Sequence, residues 1–172
     1  VTVAVAPGIA REFLALLEAH GIRTLVDVRT IPRSRRNPQF GSDELAKALA
    51  EAGIEYRWMR SLGGLRHPRP DSPNAGWRND SFRGYADFMQ TPEFAAAVDE
   101  LIELARGDEL AIMCAEAVPW RCHRSLVGDA LLVRGVEVLD IMAVHKATPH
   151  RLTPFAHVDG LTITYPPTEP AS

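Results

Sequence analysis

Leu110-Ala111-Ile112-Met113-Cys114-Ala115-Glu116-Ala117-Val118-Pro119-Trp120-Arg121-Cys122-His123-Arg124-Ser125 passes from four apolar residues, through a polar turn, into a helical pattern over 125–133. The apolar run suits a buried strand, and the spacing after Ser125 suits a helix. A strand feeding a helix is the repeating unit of an α/β sheet. Side chains on the joining turn project at the sheet's carboxyl edge, where open α/β folds bind ligands. Both cysteines of the chain lie on this turn, with Glu116, Arg121, His123 and Arg124.

The flanking sequence repeats the unit. Residues 1–5 read as a strand and Pro7-Gly8 as a turn; 10–20 read as a helix with Phe13, Leu14, Leu16 and Leu17 inward, stopped by Gly21. Thr24-Leu25-Val26-Asp27-Val28-Arg29 is a buried strand closing at Pro32. Ser42-Asp43-Glu44 caps a helix that turns Leu45 and Leu49 inward and ends at Gly53, and 54–59 form a third strand. Residues 61–83 mix glycine and proline with polar and aromatic residues and show no sustained period. So long a loop in a compact domain points to function or to partial disorder. Thr91 is the N-cap and Pro92 the first residue of a helix reaching about residue 105. After the cysteine turn, Gly135 ends the helix and 136–142 supply another strand.

The order βαβαβ(loop)αβαβ predicts a doubly wound, three-layer α/β sandwich, with a mainly parallel sheet, helices on both faces and a long active-site loop. One domain is expected over 1–172. Its last part, 146–172, holds five prolines and at most one short strand, at 161–165, and is expected to wrap the surface.

At 172 residues, 46% hydrophobic and 24% charged, the chain suits a single core. No apolar run approaches the roughly 20 residues of a membrane span, and no signal core opens the N-terminus, so a soluble, cytoplasmic protein without a membrane partner is expected. The net charge of −3 hides an uneven distribution: residues 29–83 carry ten arginines, whereas 93–109 carry six acids and one arginine. Arginine makes up 17 of the 19 basic residues. Its planar fork suits phosphate and carboxylate, although a coding bias would raise its number equally.

A strand end entering a helix presents free N–H groups and a positive dipole end, which lower a thiol's pKa and attract anions. Cys114 and Cys122 are therefore candidate nucleophiles, with Arg121 and Arg124 adding positive charge; the competing reading makes both cysteines small core residues. Thiol phosphatases place a nucleophile similarly but need an arginine six residues on, where this chain has Trp120, so that reaction is excluded. No cofactor is predicted. If a metal binds, Cys114, Cys122 and His123 would hold zinc or iron, with Glu116 or His145 as a further ligand.

Asp27 stands in an apolar strand and needs a partner. Arg29, two residues on, leaves the same face of the strand, and the pair is expected to look toward the cysteine turn, as a structural ion pair or as catalytic groups. Replacing Arg29 with Met is then expected to weaken anion binding and leave the fold largely intact. Arg33-Ser34-Arg35-Arg36 follow as an anion clamp or a solvated loop. Arg66, His67, Arg69, Trp77, Arg78, Phe82, Arg83 and Tyr85 interleave cations with flat rings, a mix that suits nucleotides or single strands, though Trp77 and Tyr85 would equally pin the loop to the core.

Asp27-Val28-Arg29 with Pro32-Arg33-Ser34, Leu62-Gly63-Gly64, Phe82-Arg83-Gly84-Tyr85-Ala86-Asp87-Phe88-Met89, Cys114-Ala115-Glu116 and Cys122-His123-Arg124 resemble the bacterial and archaeal family of domains of unknown function 488, over about residues 10–165. The resemblance implies an α/β domain and an important cysteine turn, and brings no settled reaction. Where that family's first strand runs into Gly-His-Ser, this chain has Val5-Ala6-Pro7-Gly8-Ile9, so any role of that histidine or serine is absent here.

Together these features predict an enzyme that binds an anionic substrate, phosphorylated and of nucleotide or nucleic-acid type, at the carboxyl edge. Asp27, Glu116 and His123 are its acid–base candidates. Cys114 or Cys122 is the nucleophile, and Arg29, Arg33, Arg83, Tyr85, Arg121 and Arg124 contact substrate. The alternatives are a non-catalytic nucleic-acid-binding module and a Cys/His metal-binding redox or sensor protein.

Overall fold

Thr24–Asp27 (β2) and Leu110–Met113 (β4) bury every residue, the mark of central strands covered on both faces. The structure, a computed structural model, describes residues 2–5, 13–30, 42–64, 66–114 and 122–168. The other strands are β1 (Thr2–Val5), β3 (Glu55–Trp58), β5 (Glu137–Ala143), β6 (Lys146–Pro149), β7 (His157–Asp159) and β8 (Thr162–Thr164). The helices are α1 (Phe13–Ala19), α2 (Ser42–Glu51), α3 (Asp80–Phe88), α4 (Pro92–Gly107) and α5 (Arg124–Val133).

Six strands pair in the order β3-β2-β4-β1-β5-β6, all parallel except the last pair, and β7 with β8 forms a separate hairpin. The α/β sandwich expected from the sequence is the fold observed. Alternate strand residues feed two cores. Leu25, Ala111 and Met113 pack with Phe13, Leu17, Leu45 and Leu49 of α1 and α2, while Val26, Val28, Ile112 and Cys114 pack with Tyr85, Phe94, Val98 and Leu126 of α3, α4 and α5. Each fully buried side chain of this kind contributes about 1.5–3 kcal/mol. Helix α1 leaves β1 on one face and α5 leaves β4 on the other. The neighbouring strands β1 and β4 therefore bound a topological switch point, the crevice where such sheets take ligands.

Local signals place the ends of elements. Gly21 and Gly135 adopt φ of 67° and 77°, the left-handed conformation that ends a helix. Thr91 accepts from Phe94 N at 3.3 Å to start α4. Two elements differ from the sequence reading. Helix α3 emerges from the end of the expected loop, capped by Asn79, whose Oδ1 accepts from Ser81 N at 2.8 Å. Gly84 weakens the pattern there because a Cβ would meet Arg66 O at 2.5 Å, a close approach that only glycine allows. Nor does the tail only wrap the surface. It adds β6 to the sheet edge and the β7–β8 hairpin, and it sets Ile163 and Tyr165 in the core. Short polar strands with Pro149 at an edge leave little alternation to read.

The segment 69–79 is organised from α3. Asp87 accepts from Arg69 N (2.7 Å), Ser72 Oγ (2.5 Å) and Asn74 Nδ2 (2.7 Å), while Asn74 Oδ1 accepts from Tyr165 N at 2.9 Å. Burial opposes the charge on Asp87, and these hydrogen bonds outweigh it and hold the carboxyl below its ordinary value.

Candidate active site

Cys114 follows β4 directly and Cys122 precedes the first turn of α5, so both sulfurs come to the α4–α5 side of the carboxyl edge. A disulfide joins them, with Cα atoms 7.4 Å apart, and both residues are buried. His123 stands at the N-cap position of α5, with its side chain making no capping hydrogen bond. Its Nδ1 lies 3.5 Å from Cys122 Sγ, and its Nε2 lies 3.1 Å from Val28 O. A carbonyl only accepts, so the neutral ring carries its proton on Nε2 and turns the Nδ1 lone pair toward sulfur. Burial, with the positive charges of Arg124 and Arg66, pushes this imidazole down to about 4 against the hydrogen bonds to Val28 and Leu62. The ring is therefore neutral at neutral pH.

Three segments of the expected motif set converge on this ring. Tyr85 packs beside it, with centroids 4.7 Å apart, and donates its buried hydroxyl to Leu62 O at 2.9 Å. Gly64 passes so close that a Cβ would meet His123 Nδ1 at 2.6 Å. Arg66 lies over the Phe88 ring, 3.6 Å from its centroid. Arg124, the next residue of α5, is fully buried. Two guanidiniums thus act on one imidazole at the α5 N-terminus, beside the Cys114–Cys122 disulfide, and a helix N-terminus with added positive charge is a setting that lowers the pKa of a thiol.

Asp27 and Arg29 stand apart from this group. Asp27 pairs in register with Met113, and Leu25 and Met113 pack in the α1–α2 core, so Asp27 leaves the sheet face opposite Cys114. Arg29 embraces its carboxylate through Nε (2.9 and 3.0 Å) and Nη2 (2.6 Å), and Tyr56 donates its hydroxyl at 2.6 Å. Asp27 is 0% exposed and Arg29 4% exposed. Burial alone would weaken the Arg29 cation, and Asp27 holds its pKa above the ordinary value. Arg83 gives its Nε to Trp77 O at 3.1 Å and pairs with Asp80. Trp77 stacks on Phe82 and meets Phe155 edge-on, both with centroids 4.8 Å apart. Arg33, Glu116 and Arg121, and with them Arg35 and Arg36, lie outside the described residues.

A second polar cluster left little signal in the sequence. His150, which carried no readable pattern, sits between Asp129 Oδ1 (2.9 Å from Nε2) and Asp140 Oδ2 (3.1 Å from Nδ1). Thr153 Oγ1 (2.6 Å) and Tyr165 OH (2.8 Å) also donate to Asp129. These residues come from α5, β5 and the tail, and only the tertiary fold assembles them. Asp129 and Asp140 each interrupt an apolar run, the one hint available beforehand.

Among the described residues, no three His, Cys, Asp or Glu side chains gather as a metal would require, and no helix is long and apolar enough to cross a membrane. A family model described as "Domain of unknown function DUF488" matches residues 10–131. No curated protein and no solved structure matches the chain.

Proposed function

The chain belongs to the DUF488 family of domains of unknown function, and we propose that it is a thiol enzyme acting on an anionic substrate, with Cys122 as nucleophile, His123 as its base and Cys114 as partner thiol. The observation that carries this reading is the 3.5 Å approach of His123 Nδ1 to Cys122 Sγ while Nε2 is held by Val28 O. Reduction of the disulfide by two external thiols, or by one dithiol, through a mixed disulfide transfers two electrons and two protons, leaves both cysteines as thiols, and converts the reductant to its own disulfide. In the reduced protein the negative charge of a Cys122 thiolate favours the protonated imidazole, as the disulfide does not, so the Cys122 proton then passes to Nδ1. The resulting thiolate sits beside the α5 N-terminus, near Arg124 and Arg66, where the substrate's phosphate or carboxylate also belongs. Glu116 and Arg121, from the segment between the cysteines, and Arg33, from the segment after β2, are further candidates for acid–base and anion contacts.

A non-catalytic nucleic-acid-binding module is less well supported, because Arg83 is already engaged by Trp77 and Asp80. A redox-sensor role draws on the Cys114–Cys122 bond itself. Sulfate titration of the reduced protein, followed through the His123 ring signals, tests the anion half of the proposal. A saturable shift that chloride at equal ionic strength does not reproduce is expected. Ring signals that ignore sulfate would remove the anion from this site.

A further inference from the structure

Cys114 and Cys122 are held by separate elements. The carbonyl of Met113, the residue before Cys114, accepts from Val28 N at 2.9 Å, and the carbonyl of Cys122 accepts from Ser125 N and from Ser125 Oγ, each at 3.1 Å. Both side chains belong to the α4–α5 core. Opening the S–S bond frees neither backbone, so the reduced thiols stay within reach of each other.

The two sulfurs are not equivalent. His123 Nδ1 faces Cys122 Sγ at 3.5 Å, whereas Cys114 continues the buried run of β4. Cys122 is therefore the sulfur that ionises and meets an electrophile, and Cys114 is the one that meets what forms on it.

That division narrows the chemistry. An acyl or phosphoryl group on Cys122 is electrophilic at carbon or phosphorus, and its release needs water or another acceptor rather than a second thiol bonded to the first sulfur. A partner thiol is needed where the electrophilic atom is Cys122 Sγ itself, as in a sulfenic acid. Size narrows it further. Cys122 is 6% exposed and Cys114 4%, so the reagent that oxidises them is small.

We infer that the pair reduces small hydroperoxides, with Cys122 as the thiol oxidised first and Cys114 as the thiol that resolves it. This activity rests on the reading of Cys122 as the activated thiolate and gives the same site a second substrate. The thiolate attacks the terminal peroxide oxygen: an S–O bond forms, the O–O bond breaks, and the leaving alkoxide takes the proton that His123 Nδ1 received from Cys122. Cys114 then attacks Cys122 Sγ: the S–S bond forms, the S–O bond breaks, and hydroxide leaves with the Cys114 proton as water. Two thiols and one hydroperoxide thus give a disulfide, an alcohol and water, with water in place of the alcohol when the oxidant is hydrogen peroxide. External thiols restore the pair. Because the disulfide occupies the nucleophile, peroxide also silences the chemistry on the anionic substrate until the pair is reduced.

The test mixes folded, freshly reduced protein with equimolar hydrogen peroxide and follows the products by mass spectrometry, with dimedone to trap sulfenic acid. Wild type should pass to the Cys114–Cys122 disulfide with little dimedone adduct. Cys114→Ser, or Cys114→Ala where the serine variant does not fold, should carry the adduct on Cys122 and then over-oxidise there. Cys122→Ser should react about threefold more slowly than Cys114→Ser, or slower still, because the extra thiolate at position 122 is partly offset by its lower nucleophilicity. Equal rates in the two single variants, or a sulfenic acid that persists on Cys122 of the wild type beside a reduced Cys114, would overturn the inference. Alkylation separates it from the reading beneath it. A Cys122 that alkylates well below the ordinary thiol pKa but yields no disulfide with peroxide would keep the thiol enzyme and remove the peroxide activity. Disulfide formation through a Cys122 that sulfate does not protect would keep the peroxide activity and remove the anionic substrate.

Discussion

Arg29→Met should destabilise the protein by about 3–5 kcal/mol, the usual cost of stranding one member of a buried ion pair. Asp27 is fully buried in the strand between β3 and β4 and faces the α1–α2 core, with no water to replace a lost guanidinium. Arg29 donates from Nε and Nη2 and also gives its backbone N–H to Asp27 Oδ1 at 3.0 Å. Only the Tyr56 hydroxyl and the backbone N–H of residue 29 would remain as donors. Removing both charges strands neither, so Asp27→Leu combined with Arg29→Met should recover much of the loss. Urea unfolding of the two single variants and the double variant measures this. An Arg29→Met protein within about 0.5 kcal/mol of wild type, the range of an ordinary surface change, would show that the pair does not hold β2 in place. This outcome reverses the expectation from sequence, in which Arg29 faced the cysteine turn and its loss spared the fold.

The second large effect is a loss of stability at alkaline pH. Burial alone would lower the pKa of His150, but hydrogen bonds and charge from Asp129 and Asp140 outweigh it and raise the imidazole to about 9, from an ordinary value near 6.5. A group raised on folding stabilises the native state fully below its unfolded pKa and loses that contribution as pH climbs through the folded value. The window is therefore about pH 6.5 to 9, and after allowance for partial solvent screening the amount is on the order of 2–3 kcal/mol. Tyr165, Thr153 and Arg151 surround the same network, and within this window His150 is the group whose charge changes. Unfolding midpoints measured across the window should fall in wild type and stay nearly level in His150→Gln. Parallel curves for the two proteins would mean that His150 is not held charged between the carboxylates.

The parts of the fold written in local pattern were legible in the sequence, and the parts written in long-range contact were not. The apolar strands Thr24–Asp27 and Leu110–Met113, the Thr91-Pro92 helix start and the glycine stops each carry their signal within a few residues. Helix α3 was hidden because Gly84 serves the neighbouring backbone at Arg66 rather than its own helix. At the site, Cys114, Cys122, His123 and Arg124 were legible because they share one turn. Tyr85 and Leu62-Gly63-Gly64 were visible as a motif, but their task of packing around the His123 ring shows only when three distant segments meet. The face on which Asp27 lies follows from its pairing with Met113, a register that no local pattern specifies. His150 with Asp129 and Asp140 joins residues 10 and 21 positions apart, and its one local trace was an aspartate interrupting each of two apolar runs.

The proposal of an activated thiol is tested most directly by the pH dependence of alkylation at each cysteine of the freshly reduced, folded protein, read by mass spectrometry with and without sulfate. Cys122 should react well below the ordinary thiol pKa of about 8.5, faster than Cys114, and sulfate should protect it. Two thiols that stay inert until the protein unfolds, or that react alike near the ordinary value with or without sulfate, would contradict an activated nucleophile at this site.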